Sequence, residues 1–466
     1  MKRIKNNSIT NSSDSQILIK GATIISMDDA VGNFVKGDIL ITDSKIEAIG
    51  HNLEAEGATI INATGMIAIP GLIDAHRHAW QGSLRRLMPN VENLTDYVSD
   101  IHFAFARHYR PKDMYTGTLL NMISCIDSGV TTVIDASHNA RTAAHSEFSI
   151  DALEDSGIRA LYAPGKPLAG DWENHWPEDL ERLQKERFQS KDQLVQLAMF
   201  SQPDRDNWSV ARKLNLPIIT EMLGAEMSAL LPSFQKEGLL GPDNIFNHVT
   251  GLTDEAWQII SESGVKVIID PRSDAQYALE EGVFPYDRAI QNGLKPAIGT
   301  DLESAYGGDM FTEMRVAFSL QRAFGQNRRY NGDKSSLHHM SVKDILESAT
   351  INGAIVAGLG DKTGSLKPGK EADIVLLRTD DINIYPALNA IGAVVHAADR
   401  SNVDTVMVGG RILKSAGKLL GIDQEQLKTL VDESIGYLFE AEGYQPNIFA
   451  EEYIPSAKND GFWTAI

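Results

Sequence analysis

Residues 66–78 read MIAIPGLIDAHRH, an apolar run that ends in two histidines separated by a single residue. Apolar runs of this length are typical of a buried strand. Residues i and i+2 of a strand lie on the same face, so the side chains of His76 and His78 point toward one place. Imidazole is a common ligand of Zn²⁺ and Fe²⁺. The stretch therefore predicts a strand that presents two metal ligands at its carboxyl end.

Further apolar runs of strand length follow this one, and stretches with helical periodicity separate them. Two of these stretches are DMYTGTLLNMISCIDSG (113–129) and TDEAWQIISESG (253–264). Alternating strands and helices predict a parallel sheet. Including the first, the strand-like runs are 71–78, 130–137, 158–164, 194–200, 216–222, 244–249, 265–270 and 295–301.

Eight strands predict an α/β fold of the (β/α)8 TIM-barrel type, whose active site lies at the carboxyl ends of the strands. A doubly wound open sheet is the alternative. It is disfavoured because no glycine-rich phosphate loop follows the first strand.

Both ends of the chain have a different texture, with short alternating runs punctuated by Gly, Asp and Asn. This pattern is typical of antiparallel strands. We expect residues 17–68 and 363–415 to pair into one composite β-sandwich, into which the barrel of residues 69–362 is inserted. Residues 1–16 are expected to be a mobile tail. Residues 416–466 are expected to form a helical and then aromatic extension that packs on the body or on a neighbouring subunit.

Composition excludes several classes of protein. The 466 residues carry 43 Lys and Arg against 63 Asp and Glu, a net charge of −20, which disfavours binding to nucleic acid or to an anionic membrane. The single cysteine, Cys125, excludes a disulfide framework and a thiolate cluster. No apolar run is long enough to span a bilayer, and the polar N-terminus does not resemble a signal peptide. A cytoplasmic location is expected.

Ionisable residues end several of the predicted strands. His248 ends the sixth, Asp301 the eighth and Glu221 the fifth, while Asp135 and His138 follow the second. A buried ionisable group is costly unless it is paired or bound to a metal. These residues are therefore candidates for a functional site. For His138 and Asp135 a structural role is the alternative, since Asp135 could cap the following segment.

Four segments of the chain resemble the amidohydrolase superfamily: PGLIDAHRH (70–78), NHVTGLTDE (247–255), GTDLESAYGGDMF (299–311) and TGSLKPGKEADIVLL (363–377). The resemblance extends over about residues 17–415 and is greatest to the branch with cytosine deaminase, guanine deaminase and triazine hydrolases such as atrazine chlorohydrolase. It implies a barrel inserted into a composite sandwich, in agreement with the periodicity. It also implies a homo-oligomer, such as a dimer.

The resemblance further implies roles for individual residues. His76 and His78 match a metal-binding pair, and Asp301 matches an aspartate that binds the metal and exchanges a proton with the attacking water. His248 matches a histidine that contacts the substrate and polarises the carbon of the leaving group. Gln81 matches a substrate-binding glutamine. Because the fourth strand region, LAMFSQPD (197–204), has no lysine to bridge two metals, a single divalent ion is expected: zinc, with iron or manganese as alternatives.

The sequence departs from this family at two positions. Members of the branch have a metal-binding histidine at the end of strand five, where this chain has Glu221. A catalytic glutamate usually follows three residues later, and here that residue is Gly224, with Glu226 nearby. Glu221 is therefore expected either to bind the metal or to act as the proton shuttle that Gly224 cannot provide.

The function predicted from these residues is metal-dependent hydrolysis of a C–N bond in a small heterocycle, by deamination or cyclic amide hydrolysis. Trp80 could stack on a planar substrate, and His138 and Ser304 could contact its polar atoms. Two alternatives are a lyase, decarboxylase or isomerase on the same scaffold and a metal-free binding protein. The sequence does not identify the substrate.

Overall fold

The computed structural model describes residues 3–4, 16–173, 176–333 and 338–449. Strands from both ends of the chain form one nine-stranded sheet. The N-terminal strands are β1 Gln16–Ile24, β2 Phe34–Thr42, β3 Lys45–Gly50, β4 Thr59–Asn62 and β5 Met66–Pro70, and the C-terminal strands are β15 Ile374–Arg378, β16 Val403–Val408, β17 Arg411–Ser415 and β18 Lys418–Leu419. β5 and β15 join the two ends, since Val375 pairs antiparallel with Ile69. The order of the strands across the sheet is β18-β17-β16-β15-β5-β1-β2-β3, with β4 paired to β1.

The pairing of both chain ends in one sheet agrees with the sequence-based expectation. The hydrogen bonds define a single sheet, and its packing as a two-layered sandwich stays a prediction. The predicted domain boundaries stay predictions as well. Most of the predicted tail and the aromatic end after residue 449 lie outside the described residues.

The middle of the chain forms two parallel sheets. The first contains β6 Leu72–Arg77, β7 Val130–Ser137, β8 Arg159–Pro164 and β9 Val195–Leu197. The second contains β10 Met199–Phe200, β11 Ile218–Leu223, β12 Asn244–Thr250, β13 Lys266–Ile269 and β14 Ala297–Ile298. Every predicted strand is present, and the predicted fourth strand is divided into β9 and β10. Within each of the two sheets the strands lie side by side in the order of their numbers.

Backbone hydrogen bonds connect the two parallel sheets at both sides. The amide of Ala198, between β9 and β10, donates to Tyr162 of β8 (2.8 Å). At the other side, the amide of Asp301 donates to His76 (2.8 Å), and the amide of His78 donates to Asp301 (2.8 Å). The region after β14 is thus held directly against β6. The described strands pair as two separate parallel sheets and not as one closed barrel.

Helices connect the parallel strands as predicted. In α8, the Thr253 hydroxyl accepts from the amide of Ala256 at the start, and Gly264 follows the helix with a left-handed φ of 70°. The helices are α1 Leu94–Tyr97, α2 Pro111–Asp127, α3 Ala143–Ser156, α4 Asp179–Glu186, α5 Arg205–Lys213, α6 Gly224–Ser228, α7 Leu231–Lys236, α8 Asp254–Glu262, α9 Pro271–Gln276, α10 Tyr286–Gln291, α11 Met310–Tyr330, α12 Val342–Ser348, α13 Ile351–Val356, α14 Ala390–His396 and α15 Gln424–Glu442.

Short helical turns complete the described structure. A π-helix spans Val98–Phe105, and 3₁₀-helices span Ala79–Leu84, Ala106–His108 and Arg400–Asn402. Two of these turns follow β6 and α1 directly, and the second of them, the π-helix, contributes Val98, His102 and Phe103 to the wall of the cavity described below. No helix of the described part has the length and apolar character needed to cross a membrane.

Close packing around β6 depends on a residue without a side chain. A Cβ atom on Gly299, just after β14, would lie 2.3 Å from Oδ1 of Asp270 and 2.8 Å from the backbone nitrogen of His76. Such distances are too short for any side chain, so glycine is needed here. It allows the end of β14 to approach β6 closely and brings Asp301 beside His76.

Candidate metal centre and active site

The two histidines of β6 and the arginine between them point to opposite sides of the strand, as the period of two requires. Arg77 is fully buried, and its guanidinium donates to Asp74 (2.7 Å) and to Glu303 (3.2 Å). His76 and His78 face the other way and are also buried. The ion pairs of Arg77 thereby help to fix the strand that carries the histidines.

Four side chains converge at the carboxyl ends of β6, β11 and β14. Nε2 of His78 lies 3.2 Å from Oε1 of Glu221 and 3.2 Å from Oδ1 of Asp301. Nε2 of His76 lies 3.6 Å and 3.4 Å from the same two oxygens. A tetrahedral ion with bonds of about 2.1 Å has ligands about 3.4 Å apart. These four distances fit that spacing.

The hydrogen-bonding state of these atoms also fits a metal ion. Neither ring nitrogen of His76 has a hydrogen-bond partner, and Oδ1 of Asp301 has none, although all three atoms are buried. Buried polar atoms without partners are costly. Nδ1 of His78 donates to the carbonyl of Ala136 (2.8 Å), which leaves the lone pair of its Nε2 directed at the site. His76, His78, Glu221 and Asp301 can therefore hold one divalent ion.

The charges of this group are strongly coupled. Burial opposes ionisation of Asp301, but the close contacts of its carboxylate with the imidazoles of His76 and His78 outweigh burial and hold its pKa well below the usual range. The pKa of Glu221 is also lowered, since burial is outweighed by its contact with His78 and by the nearby imidazoles of His248 and His76. Both carboxylates are thus ionised at neutral pH, as metal ligands must be.

Asp301 and His248 both have a strained backbone. Each has a φ of 62°, in the left-handed region that non-glycine residues rarely occupy. Such outliers are concentrated at functional sites, where the surrounding structure maintains them. The second oxygen of Asp301, Oδ2, accepts a hydrogen bond from the hydroxyl of Ser273 (2.5 Å), which fixes the carboxylate orientation.

His248, at the end of β12, is held by two carboxylates that the sequence did not single out. Its Nδ1 donates to Oδ1 of Asp274 (2.7 Å) and lies 3.3 Å from Oδ2 of Asp270. Burial opposes protonation of His248, but the hydrogen bond to Asp274 and the charges of both aspartates outweigh it and raise its pKa to about 10. His248 is therefore a cation at neutral pH, beside the candidate metal ligands.

All of these strand ends open into a cavity of about 470 Å³. His78, Glu221, His248 and Asp301 lie in its wall, so the candidate metal centre is accessible from it. The other polar residues of the wall are Thr95, Tyr97, His102, His138, Gln202, Ser273 and Tyr277. The apolar ones are Leu94, Val98, Phe103, Leu168, Phe200, Pro203, Leu223, Met227, Leu230, Leu279 and Leu302.

Tyr97, His102 and His138 form a hydrogen-bonded group on one side of this cavity. Nε2 of His138 lies 3.1 Å from Nε2 of His102, which is 3.2 Å from the hydroxyl of Tyr97. Burial lowers the pKa of His102 to about 3, so its imidazole is neutral. Sequence reasoning missed His102 and Tyr97, which follow β6 by some twenty residues, because no strand end marks them.

The remaining predicted residues lie in different places. His138 lines the cavity, as a substrate contact requires. Gln81 is buried behind the wall and donates to the hydroxyl of Tyr97. Trp80 and Ser304 are fully buried, and neither lies in the cavity wall. Their direct contact with a substrate stays a prediction.

Two acidic candidates are also located by the structure. Asp135 accepts from the backbone amide of Ala79 (3.0 Å), in keeping with a structural role, and burial raises its pKa to about 7. Glu226 is exposed on α6 and does not line the cavity. Gly224, where the family resemblance leads to the expectation of a glutamate, begins that helix with a φ of 69°.

Comparison with known proteins gives the class to which this fold and site belong. The sequence profile of the amidohydrolase family matches residues 67–205 and 217–413. The chain belongs to the amidohydrolase family, and the resemblance seen in its sequence is confirmed. It is an enzyme, a hydrolase that acts on non-peptide C–N bonds.

Individual relatives are similar over nearly their full length. A 5-methylthioadenosine/S-adenosylhomocysteine deaminase of Carboxydothermus hydrogenoformans is 30% identical, with 88% of this chain and 96% of the relative covered. A 5'-deoxyadenosine deaminase of Methanobrevibacter smithii is 28% identical, with coverages of 92% and 99%.

Solved structures share the fold. A zinc-bound adenosine deaminase from Xanthomonas campestris has a TM-score of 0.76 at 20% identity, with 92% of this chain and 100% of that chain covered. An atrazine chlorohydrolase from Arthrobacter aurescens, complexed with zinc, has a TM-score of 0.76 at 22% identity, with coverages of 90% and 100%.

Proposed function

We propose that this protein is a metal-dependent deaminase that removes an amino group from a purine-type heterocycle by hydrolysis. The observation that carries the proposal is that Nε2 of His76 and Nε2 of His78 each lie 3.2–3.6 Å from carboxylate oxygens of Glu221 and Asp301, at the wall of a cavity large enough for such a compound. The relatives named as deaminases of adenosine derivatives support the amino group as the leaving group.

In the proposed site His76, His78, Glu221 and Asp301 bind one divalent ion. Such an ion supplies hydroxide at neutral pH by lowering the pKa of bound water. Asp301 accepts the proton of that water and returns it to the departing nitrogen, as a general base and then a general acid. Ser273 holds the carboxylate through Oδ2, which leaves Oδ1 for the ion.

His248 acts as a fixed positive charge in this proposal. Asp274 and Asp270 keep its imidazole protonated and oriented. Addition of the water oxygen to the ring carbon would place negative charge on the heterocycle before the amino group departs, and a preorganised donor in a water-poor cavity stabilises such charge most effectively. Tyr97, His102 and His138 present uncharged hydrogen-bonding groups on another part of the wall, suited to the polar edge of a base.

Glu221 distinguishes this centre from one with three histidines. A carboxylate adds negative charge to the coordination sphere, which weakens the ion as a Lewis acid and raises the pKa of its water. It also favours harder ions, so manganese or iron competes with zinc here. We assign coordination to Glu221 because its Oε1 lies at ligand spacing from both histidines.

The larger architecture belongs to the same proposal. We infer that the two parallel sheets together are a closed (β/α)8 barrel, since backbone hydrogen bonds connect them at both sides. The nine-stranded sheet is proposed to be part of a composite sandwich, and the enzyme to be a cytoplasmic homodimer that acts on a small molecule.

The test combines metal analysis with product detection. Purified enzyme, reconstituted separately with Zn²⁺, Mn²⁺ and Fe²⁺, is incubated with a panel of aminopurines, aminopyrimidines and aminotriazines. The expected result is one bound ion per chain and stoichiometric ammonia release from at least one purine. A protein that binds one ion per chain and releases no ammonia from any amino compound would contradict deamination.

A further inference from the structure

Exposed leucines are concentrated at the entrance of the cavity. Four leucines of the described chain expose more than a third of their surface: Leu94 (40%), Leu168 (47%), Leu230 (38%) and Leu388 (92%). The first three line the cavity of the candidate metal centre, although they come from three separate segments. Exposed apolar groups that gather at one opening indicate a binding surface. We call Leu94, Leu168 and Leu230 the leucine collar.

Behind the collar the outer wall continues to be apolar. Val98, Phe103 and Met227 line it, and His78, Glu221, His248 and Asp301 lie at the strand ends. A pocket of this kind binds a ligand whose one end is polar and whose remainder is apolar. The heterocycle reaches the metal centre, and the rest of the ligand lies against the collar.

In the described cavity wall the cationic side chain is His248, which lies at the strand ends and not beside the collar. Among the described residues that line the cavity there is neither a lysine nor an arginine. Arg141, beneath the loop that carries Leu168, is engaged by the carbonyls of Ala106, Ala169 and Asp171 (2.7–3.0 Å). An anionic substituent would lose its hydration in an apolar channel without gaining an ion pair, which is costly.

We propose that the leucine collar determines specificity: the substrate carries an uncharged apolar substituent, and substrates with a carboxylate or phosphate at that position are rejected. This inference rests on the proposed function for the orientation of the heterocycle. It goes beyond that function by assigning the distal end of the substrate and the three residues that select it.

The probes are adenosines in which the 5' oxygen is replaced by a methylthio, butylthio or hexylthio group. A fourth compound is matched to the butylthio derivative and has a carboxylate in place of the terminal methyl group. Affinity for the holoenzyme is measured by calorimetry with the 6-oxo form of each compound, which has no amino group to lose. Ammonia release is measured in parallel with the 6-amino forms.

We expect the affinity to rise about three- to fourfold for each buried methylene. The carboxylate should bind at least about tenfold more weakly than its butylthio partner, because it is desolvated without a counter-ion. An affinity that is flat along the series, or higher for the carboxylate, would overturn the collar. Ammonia release with flat affinities contradicts the collar alone, whereas rising affinities without ammonia release contradict deamination alone.

Substitutions distinguish the collar from a surface that a second copy covers. Leu168→Asn and Leu230→Asn should reduce the gain per methylene, while Leu388→Asn, an exposed leucine outside the cavity wall, should leave it unchanged. Sedimentation should be the same for all three variants and the parent. Collar variants that change the oligomeric state but not the gain per methylene would show a subunit interface instead and overturn the proposal.

Discussion

Oε1 of Glu221 lies 3.2 Å from Nε2 of His78, the separation of two ligands on one tetrahedral ion. Glu221 lies in β11, and His78 directly follows β6, 143 positions earlier in the sequence. No pattern within either strand predicts that these two side chains meet. A carboxylate thereby occupies the place where the family resemblance leads to the expectation of a histidine. The consequence of this exchange for metal choice is directly testable.

Replacing Glu221→His should shift metal preference toward zinc, because a neutral imidazole replaces a negative oxygen ligand. The variant and the parent are loaded from an equimolar mixture of Zn²⁺ and Mn²⁺ and analysed by mass spectrometry of the bound metals. Glu226→His is the matched control, since Glu226 is exposed on the neighbouring helix. Normal metal content and preference with lost turnover would instead identify Glu221 as a proton shuttle.

Substituting Asp301→Asn should lower the deamination rate by about 10² or more, since the amide cannot accept the proton of water. Circular dichroism should remain that of the parent because the side chain keeps its size. Ser273→Ala, which removes only the hydrogen bond to Oδ2, should give a smaller loss. If the Asp301 variant retains the parental rate at full metal loading, Asp301 is not the base.

Arg77→Met should lower the free energy of unfolding by about 3–5 kcal/mol, because Asp74 and Glu303 then remain buried without this guanidinium. Urea denaturation measures the change. Arg205→Met is the control: its ion pair with Glu237 is exposed, so little or no change in the free energy of unfolding is expected. Equal losses in the two variants would contradict a structural role for the buried arginine.

The raised pKa of Asp100 predicts that the free energy of unfolding depends on pH. Burial and the charge of Asp96 raise its pKa from 3.8 to about 7, so between these values the folded chain holds a proton that the unfolded chain has lost. Its contribution to stability is therefore present at low pH and lost as pH rises toward 7. Asp100→Asn should make unfolding less dependent on pH in this window and stabilise the protein most at pH 8.

Urea titrations at pH 5 and pH 8 would measure this effect. Glu92→Gln, at an exposed position in the same segment, removes the same charge and should change both values little. A parent whose stability at pH 8 equals that of the Asp100 variant would contradict the assigned cause.

The strands and the first metal ligands could be predicted from the sequence because their signals are local. Apolar runs located all the parallel strands, and the spacing of His76 and His78 placed both imidazoles on one face. His248, Asp301 and Glu221 were found by the same reasoning, since each ends an apolar run. The carboxyl ends of parallel strands meet at one edge, so these residues were expected to converge.

Other parts of the site depend on contacts between distant segments. Asp274 pairs with His248 through α9, and Tyr97 meets His138 only through His102, which lies on a π-helix after α1. No periodic pattern marks such residues, because their positions follow from how loops pack over the strand ends. Trp80 and Ser304 show the converse, since they adjoin candidate ligands in sequence but lie buried outside the cavity wall.

The sequence by itself determined the positions of the parallel strands, the pair of histidines on one strand face and the family, since short-range spacing and apolar runs encode them. Only the tertiary structure decided that Glu221 stands at ligand distance from both histidines and that three exposed leucines surround one opening. The physical reason is that distances between segments far apart in the chain are set by close packing, which no local pattern specifies.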